Sequence, residues 1–134
     1  MKYLLDTNIC IYLINKKPLP VIIKLKSQKI SDVCISSITL SELEYGVEKS
    51  SLPIRNRMAL NEFLAPIEIY DFDNRAALFY GKIRFFLEKN GITIGPLDTL
   101  IAAHCLSLNT ILITNNEAEF KRIPELRIEN WVKL

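Results

Sequence analysis

The sequence is poor in the residues that build several common kinds of functional site. It has one histidine, three cysteines and four glycines among 134 residues. No P-loop or G-x-G-x-x-G pattern is present, so a glycine-rich phosphate cradle is unsupported. The serines at 36, 37 and 41 have no histidine in a nearby motif, which argues against a Ser-His-Asp triad. The single histidine, His104, lies among apolar residues, and we expect it to pack within a helix rather than act in catalysis.

Cysteine spacing, net charge and the length of the apolar runs further limit the kinds of protein that this sequence can encode. Cys10, Cys34 and Cys105 form no Cys-x-x-Cys pair, so we expect three buried thiols in a reducing cytosol. The net charge is only +2, from 17 basic and 15 acidic residues, and it neither requires nor excludes a nucleic-acid partner. No apolar run approaches the length of a membrane span. Asp6 and Asn8 interrupt the N-terminal apolar residues too early for a secretory signal. We therefore expect a cytoplasmic protein with no membrane partner.

Short apolar runs alternate with segments of helical period along the whole chain. The expected strands are Tyr3–Leu5, Val33–Ser36, Ile67–Tyr70, Ile111–Thr114 and, more weakly, Leu126–Ile128. The expected helices are Ile9–Asn15, Leu19–Gln28, Thr39–Ser50, Ile54–Leu64, Asn74–Asn90, Leu97–Leu108 and a short turn at Glu117–Arg122. Such alternation predicts an α/β fold with a mostly parallel central sheet flanked by helices on both faces. We expect a single domain over residues 1–134, with residues 51–64 forming an exposed helical arm.

Three acids fall where expected strands give way to helices. Asp6 ends the first strand, Glu42 is expected in the first turn of the helix after the second strand, and Asp98 lies in the first turn of a later helix. Because parallel strands share one carboxyl edge, these acids should converge there, beside helix N-termini.

Each acid also has a purely structural interpretation. Asp6 suits an N-cap position, Glu42 completes a capping box with Thr39, and Asp98 suits the positive end of a helix dipole. Together, however, the three bring a formal charge of −3 and would repel one another. A hard divalent cation, Mg²⁺ or Mn²⁺, is the usual resolution of an all-oxygen cluster.

The sequence contains the four blocks LLDTNICIYLI, SSITLSELEYGV, GPLDTLIAAHCLSLN and ILITNNEAEFKRIPELRIENW. These blocks resemble the PIN domain, and more closely the VapC toxins of bacterial toxin–antitoxin modules. They occur in this order and span nearly the whole chain, from Lys2 to Trp131. The resemblance implies a PIN-like three-layer fold and a metal-dependent endoribonuclease.

The resemblance also implies roles for individual residues. Asp6, Glu42 and Asp98 would be the catalytic acids, Asp6 and Asp98 would hold the metal, and Thr7 and Thr114 would support them. Many members carry a fourth acid just after the last core strand, where this chain has Asn116. Glu119 follows one turn later and is a further supporting candidate.

The partners implied by the resemblance are RNA, a VapB-type antitoxin and a second copy of the chain. Among RNAs, tRNA is the candidate substrate. The antitoxin would insert a segment into the acidic cleft, form a higher hetero-oligomer with the toxin dimer and carry it to operator DNA. An acidic pocket also needs basic side chains nearby to attract RNA. The candidates are Lys82 and Arg84, with Lys89, Lys121 and Arg122 as further possibilities.

Two other functions remain open at this point. Phosphatases of the haloacid-dehalogenase type also begin with a strand ending in Asp, but they need a second acid two residues later, where this chain has Asn8. A non-catalytic binding module of the same fold is the other alternative, although the presence of all three junction acids argues against it.

Overall fold

A parallel sheet of five strands forms the centre of the protein. The computed structural model describes residues 2–133, and the strand order is β3-β2-β1-β4-β5, with every neighbouring pair parallel. The strands are β1 (Tyr3–Leu5), β2 (Val33–Ser36), β3 (Glu68–Tyr70), β4 (Ile111–Ile113) and β5 (Ile128–Glu129). The predicted α/β class is confirmed.

Helices cover both faces of this sheet. They are α1 (Thr7–Ile14), α2 (Leu19–Lys26), α3 (Ser37–Glu48), α4 (Pro53–Leu64), α5 (Asn74–Lys89), α6 (Pro96–Ser107) and α7 (Glu117–Phe120). A single 3-10 turn at Ile30–Asp32 precedes β2. Each predicted helix is present, and no predicted boundary differs from that of the structure by more than two residues.

Alternate strand residues enter two separate cores. Leu5, Ile35 and Ile113 face a first core with α1 to α4 and Trp131. Leu4, Cys34 and Leu112 face a second core with α5, α6 and Phe120. Side chains of a strand point alternately to opposite faces, so two apolar layers explain why these strands are apolar throughout. The three cysteines are free and buried in these cores, as expected.

Proline and glycine set several helix boundaries. Pro53 and Pro96 are the first residues of α4 and α6, where a missing N–H costs nothing. Gly91 follows α5 with φ +65°, and the N–H of Ile92 donates to the carbonyl of Leu87 over 3.0 Å. This is the Schellman arrangement that a glycine favours, and it confirms Gly91 as a helix stop.

Helix α4, expected as an exposed arm, has one face in the first core and one in solvent. Leu60 is only 2% exposed and packs with residues of α1 and α3, whereas Ile54 and Met58 are 79% and 68% exposed. Within residues 2–133 no helix is both long and apolar enough to cross a bilayer.

The order in which the chain adds strands to the sheet indicates which edge can hold a ligand site. From β1 the chain moves to β2 and β3 on one side, and then crosses to β4 and β5 on the other. Ligand sites in open α/β sheets form at such a switch point, beyond the carboxyl ends of the strands. Asp6 follows β1 there and Thr114 follows β4.

Candidate active site

Asp6 caps α1 at the end of the central strand and is almost completely buried, with 4% of its surface exposed. Its Oδ1 accepts a hydrogen bond from the N–H of Ile9 over 2.9 Å, which confirms the capping interpretation. Burial raises the pKa of Asp6, and hydrogen bonds from Thr114 and the Ile9 N–H act in the opposite direction. The Glu42 carboxylate raises this pKa further, so capping is not the only interaction that this acid makes.

Thr114 supports Asp6 from the neighbouring strand β4. It is fully buried, and its Oγ1 accepts a hydrogen bond from the N–H of Asn116 over 2.9 Å. The same side chain also acts on the Asp6 carboxyl and lowers its pKa. Thr114 thus links the acid at the end of β1 to the turn that follows β4.

Glu42 lies in the second turn of α3, and its assignment to a capping box was wrong. The N-cap of α3 is Ser36, whose Oγ accepts a hydrogen bond from the N–H of Ile38 over 3.0 Å. Thr39 is therefore a helical residue and not a cap. Glu42 instead accepts a hydrogen bond from the hydroxyl of Thr7 over 2.9 Å, and Thr39 Oγ1 lies 3.4 Å from Thr7 Oγ1.

Asp98 lies half-buried in the first turn of α6, as predicted. Its pKa is raised from 3.8 to about 6, first by burial and then by the negative charges of Asp6, Glu119 and Glu42. The three predicted acids therefore act on one another, and Glu119 acts with them.

Glu119 and Glu117 have different surroundings although both lie on the short helix α7. The side-chain Nδ2 of Asn116 donates to Glu119 Oε2 over 2.8 Å, and the negative charge of Glu119 contributes to the raised pKa of Asp98. Glu117 instead accepts hydrogen bonds from Lys133 over 2.7 Å and from Asn130 over 3.0 Å. The site therefore has a fourth acid, Glu119, that the strand pattern alone did not select.

The donor set suits a hard cation. The four acids at the carboxyl edge supply only oxygen ligands, which Mg²⁺ and Mn²⁺ prefer, and the mutual effects of these acids on the pKa of Asp98 indicate excess negative charge. Within residues 2–133, no three His, Cys, Asp or Glu side chains are already gathered at the spacing of a loaded metal site. A bound ion would have to draw the carboxylates together.

An apolar cleft adjoins the acids. Helices α1, α3 and α4 enclose a cavity of about 230 Å³. Its wall includes Glu42 together with Ile11, Leu43 and Leu60. The cleft offers an apolar surface beside a carboxylate of the cluster.

The two basic residues that are the first candidates for RNA binding lie on the exposed face of α5. Lys82 and Arg84 are both solvent-exposed. Arg84 donates to Glu88 over 3.1 Å and to the hydroxyl of Tyr80 over 3.2 Å, so its charge is already paired. Arg84 also borders a cavity of about 310 Å³ at Pro96, where α6 begins.

His104 is buried, with 1% of its surface exposed, which confirms it as a packed helical histidine. Its Nδ1 lies 2.7 Å from Ser36 Oγ. Although this is a serine–histidine pair, both side chains are buried, and neither can meet a substrate in solvent.

Comparison with known proteins identifies relatives along the full chain. The PIN domain family model matches residues 3–126. Ribonuclease VapC2 of Rickettsia felis is 48% identical over 134 residues, which is 99% of this chain and 100% of that protein. The tRNA(fMet)-specific endonuclease VapC of Salmonella typhimurium is 44% identical over 131 residues, which is 98% of each chain.

Solved structures show the same similarity. A chain of VapBC2 from Rickettsia felis, bound to a DNA fragment from its promoter, superposes with a TM-score of 0.92 at 46% identity, covering 98% of this chain and 99% of that one. A chain of DNA-bound VapBC from Salmonella typhimurium gives the same TM-score at 44% identity and covers 98% of each chain.

Proposed function

Because this chain belongs to the PIN-domain family, and within it to the VapC toxin ribonucleases, we propose that it hydrolyses RNA at a divalent-metal site built from Asp6, Glu42, Asp98 and Glu119. The observation that supports this site most directly is the pKa of Asp98, which is raised to about 6 in part by the three other acids. Four carboxylates at one sheet edge carry a formal charge of −4, which one divalent ion reduces to −2.

Asp6 and Asp98 would hold the cation, with Mg²⁺ and Mn²⁺ as the fitting ions. A cation bound there would lower the pKa of a bound water and offset negative charge on the scissile phosphate. Thr114 keeps Asp6 in place and charged through its hydrogen bond. Asn116 keeps Glu119 turned toward Asp98 through its amide.

Glu42 is the acid best placed to orient the attacking water. The Thr7 hydroxyl holds one of its carboxylate oxygens over 2.9 Å, which leaves the other oxygen free to accept a proton from water. A general base must lie within hydrogen-bond reach of the proton it takes, and a carboxylate held at one oxygen can present the other to a water with little loss of side-chain freedom.

The proposed substrate is a tRNA. Relatives from Salmonella typhimurium and Shigella flexneri, each 44% identical over 98% of this chain, are tRNA(fMet)-specific endonucleases. We include Lys82 and Arg84 in the RNA-binding surface because both are exposed on α5, and Arg84 borders the cavity at the start of α6. The paired charge of Arg84 makes Lys82 the stronger of the two contacts.

The partner of the chain is a VapB-type antitoxin, because its structural relatives are VapBC complexes, two of them bound to DNA. Operator DNA is reached through that antitoxin. We propose that an antitoxin segment occupies the apolar cleft beside Glu42, where Ile11 and Leu60 offer an apolar surface, and that it blocks access to the acids. A toxin homodimer within a larger hetero-oligomer, and a cytoplasmic location, belong to the same proposal.

The two alternative functions are less well supported. The PIN match over residues 3–126 does not favour a haloacid-dehalogenase phosphatase, and Asn8, which stands where that class needs an acid, is exposed on α1. A binding module without chemistry would have no need for four mutually repelling acids, which cost stability in a folded chain.

Sequencing of RNA ends after brief induction in cells tests the proposal. Wild-type protein should produce new 5′ ends at one or a few positions in a tRNA, and growth should stop unless the antitoxin is also produced. Asp98→Asn, induced to the same level, is the matched control and should produce no new ends. Equal RNA ends with wild type and Asp98→Asn would overturn the assignment of the site.

A further inference from the structure

The acids of the proposed site come from helices that pack mainly in different cores. Glu42 is on α3, whose Leu43 and Val47 pack in the first core. Asp98 is on α6, which packs in the second core, and Ile38 of α3 also packs against that core. Apolar packing is non-directional, so a hydrogen bond between the two helices adds a constraint on the distance between these acids.

The hydrogen bond between His104 and Ser36 is a buried polar link of this kind. His104 is on α6, six residues after Asp98, and Ser36 is the N-cap of α3, six residues before Glu42. His104 Nδ1 and Ser36 Oγ are 2.7 Å apart, and both side chains are at most 1% exposed. The edge of the His104 ring also packs on Phe72, with centroids 5.4 Å apart.

Ser36 is the one side-chain hydrogen-bond partner of the His104 ring among residues 2–133, although the backbone of Asp71 also acts on the ring and opposes the lowering of its pKa. His104 Nε2 is buried and lacks a hydrogen-bond partner among residues 2–133. Burial lowers the pKa of His104 below 6.5, so the ring is neutral at neutral pH. Leaving a buried nitrogen unpaired costs stability, so packing alone would favour an apolar side chain at this position.

We propose that His104, through Ser36, is a positioning residue that holds Asp98, which would bind the divalent cation, at a fixed separation from Glu42, which would orient water beside it. The first turn of α3 is fixed on its other side by Thr39 and Thr7, whose Oγ1 atoms are 3.4 Å apart, and Thr7 in turn holds Glu42. The His104 link adds α6 to this network. This inference rests on the proposed metal-dependent function.

Replacing His104 with asparagine or with leucine distinguishes the effect of the hydrogen bond from the effect of packing. The two side chains have nearly the same shape and leave a similar cavity, but only asparagine can bond Ser36. Calorimetry measures Mn²⁺ binding to the EDTA-treated protein. Steady-state cleavage of tRNA in excess Mg²⁺ gives kcat and KM. We expect His104→Leu to weaken Mn²⁺ binding about tenfold and to lower kcat about tenfold, because it removes a partner that orients metal ligands. The KM for tRNA should be unchanged. His104→Asn should stay within about threefold of wild type, because one ligand-orienting bond is retained.

Phe72→Leu is the control for packing, because it removes the ring contact to His104 and leaves the hydrogen bond. It should lower the melting temperature without changing Mn²⁺ affinity. Should His104→Leu fail to fold, Ser36→Ala removes the other half of the bond together with the N-cap of α3, and it should show the same loss of Mn²⁺ affinity.

The outcomes distinguish the two proposals. Wild-type protein that binds no Mn²⁺ would overturn the proposed function. Wild-type protein that binds Mn²⁺, with folded His104→Leu or Ser36→Ala binding it equally well, would overturn only the positioning role. Equal weakening by asparagine and leucine would likewise contradict that role, since it would show that packing and not the hydrogen bond matters.

Discussion

Asn116 donates a hydrogen bond to Glu119 over 2.8 Å, and the negative charge of Glu119 in turn raises the pKa of Asp98. The amide at position 116 therefore orients an acid instead of standing in for one. The fourth carboxylate of the cluster comes from one helical turn further along the chain. With it, the formal charge of the cluster is −4 and not the −3 given by Asp6, Glu42 and Asp98 alone.

Glu119→Gln should lower RNA cleavage by about a hundredfold, the order of loss seen when one group that acts through a metal or its water is removed. Glu117→Gln is the matched control on the same helix. Glu117 is held away from the cluster by Lys133 and Asn130, so this change should leave kcat within about twofold, as for a surface substitution. Cleavage of a labelled tRNA in excess Mg²⁺ measures both. Equal loss in the two variants would show that α7 matters as a whole and that Glu119 has no special role.

Asp98→Asn should abolish cleavage and yet stabilise the metal-free protein above pH 6. The pKa of Asp98 is raised from 3.8 to about 6, so between these values the folded protein keeps a proton that the unfolded chain releases. Stability of wild type therefore falls as pH rises through this window and stays lower above it. Because Asp98 is only half-buried and its charge is screened, we expect a gain of about 1 kcal/mol in the variant.

Melting temperatures in EDTA at pH 4 and pH 7.5 measure this effect. The difference between Asp98→Asn and wild type should be larger at pH 7.5, by about 3 °C for a chain of this size. A variant that is less stable than wild type at pH 7.5 without metal would contradict mutual repulsion among the acids.

Thr7→Val should lower kcat by about tenfold while Thr7→Ser stays near wild type, since the loss of one hydrogen bond to a charged group is worth about 1.5 kcal/mol. The Thr7 hydroxyl holds Glu42, and serine keeps that hydroxyl whereas valine keeps only the shape. Steady-state cleavage of tRNA at saturating Mg²⁺ tests the pair. Identical kcat values for valine and serine would mean that Glu42 needs no such support.

The fold follows from local pattern to a large extent. Runs such as Val33–Ser36 are buried on both faces of the sheet, and their continuous apolar character identifies them without tertiary information. Strand β5 at Ile128–Glu129 was predicted two residues early, at Leu126–Ile128. It is short and lies at the sheet edge, so apolar character marks it weakly, and its register depends on pairing with β4.

The site was less fully predictable. Asp6 directly follows a strand end, and Asp98 comes two residues after the proline that begins α6. The local interpretation of Glu42 was wrong, because Thr39 and Glu42 match a capping box whereas Ser36, three residues before Thr39, is the true cap. Glu117 and Glu119 could not be separated by sequence, since only the positions of Lys133, Asn130 and Asp98 in space distinguish them.

RNA cleavage by this protein is proposed to require a divalent cation bound at the acid cluster of Asp6, Glu42, Asp98 and Glu119. Cleavage of tRNA by protein freed of metal with EDTA, and then supplied with Mg²⁺ or Mn²⁺, tests it most directly. We expect no cleavage in EDTA, full recovery with either ion in wild type, and none in Asp98→Asn at the same ion concentration. Cleavage by wild type that continues undiminished in EDTA, at sites that Asp98→Asn also cuts, would contradict the account.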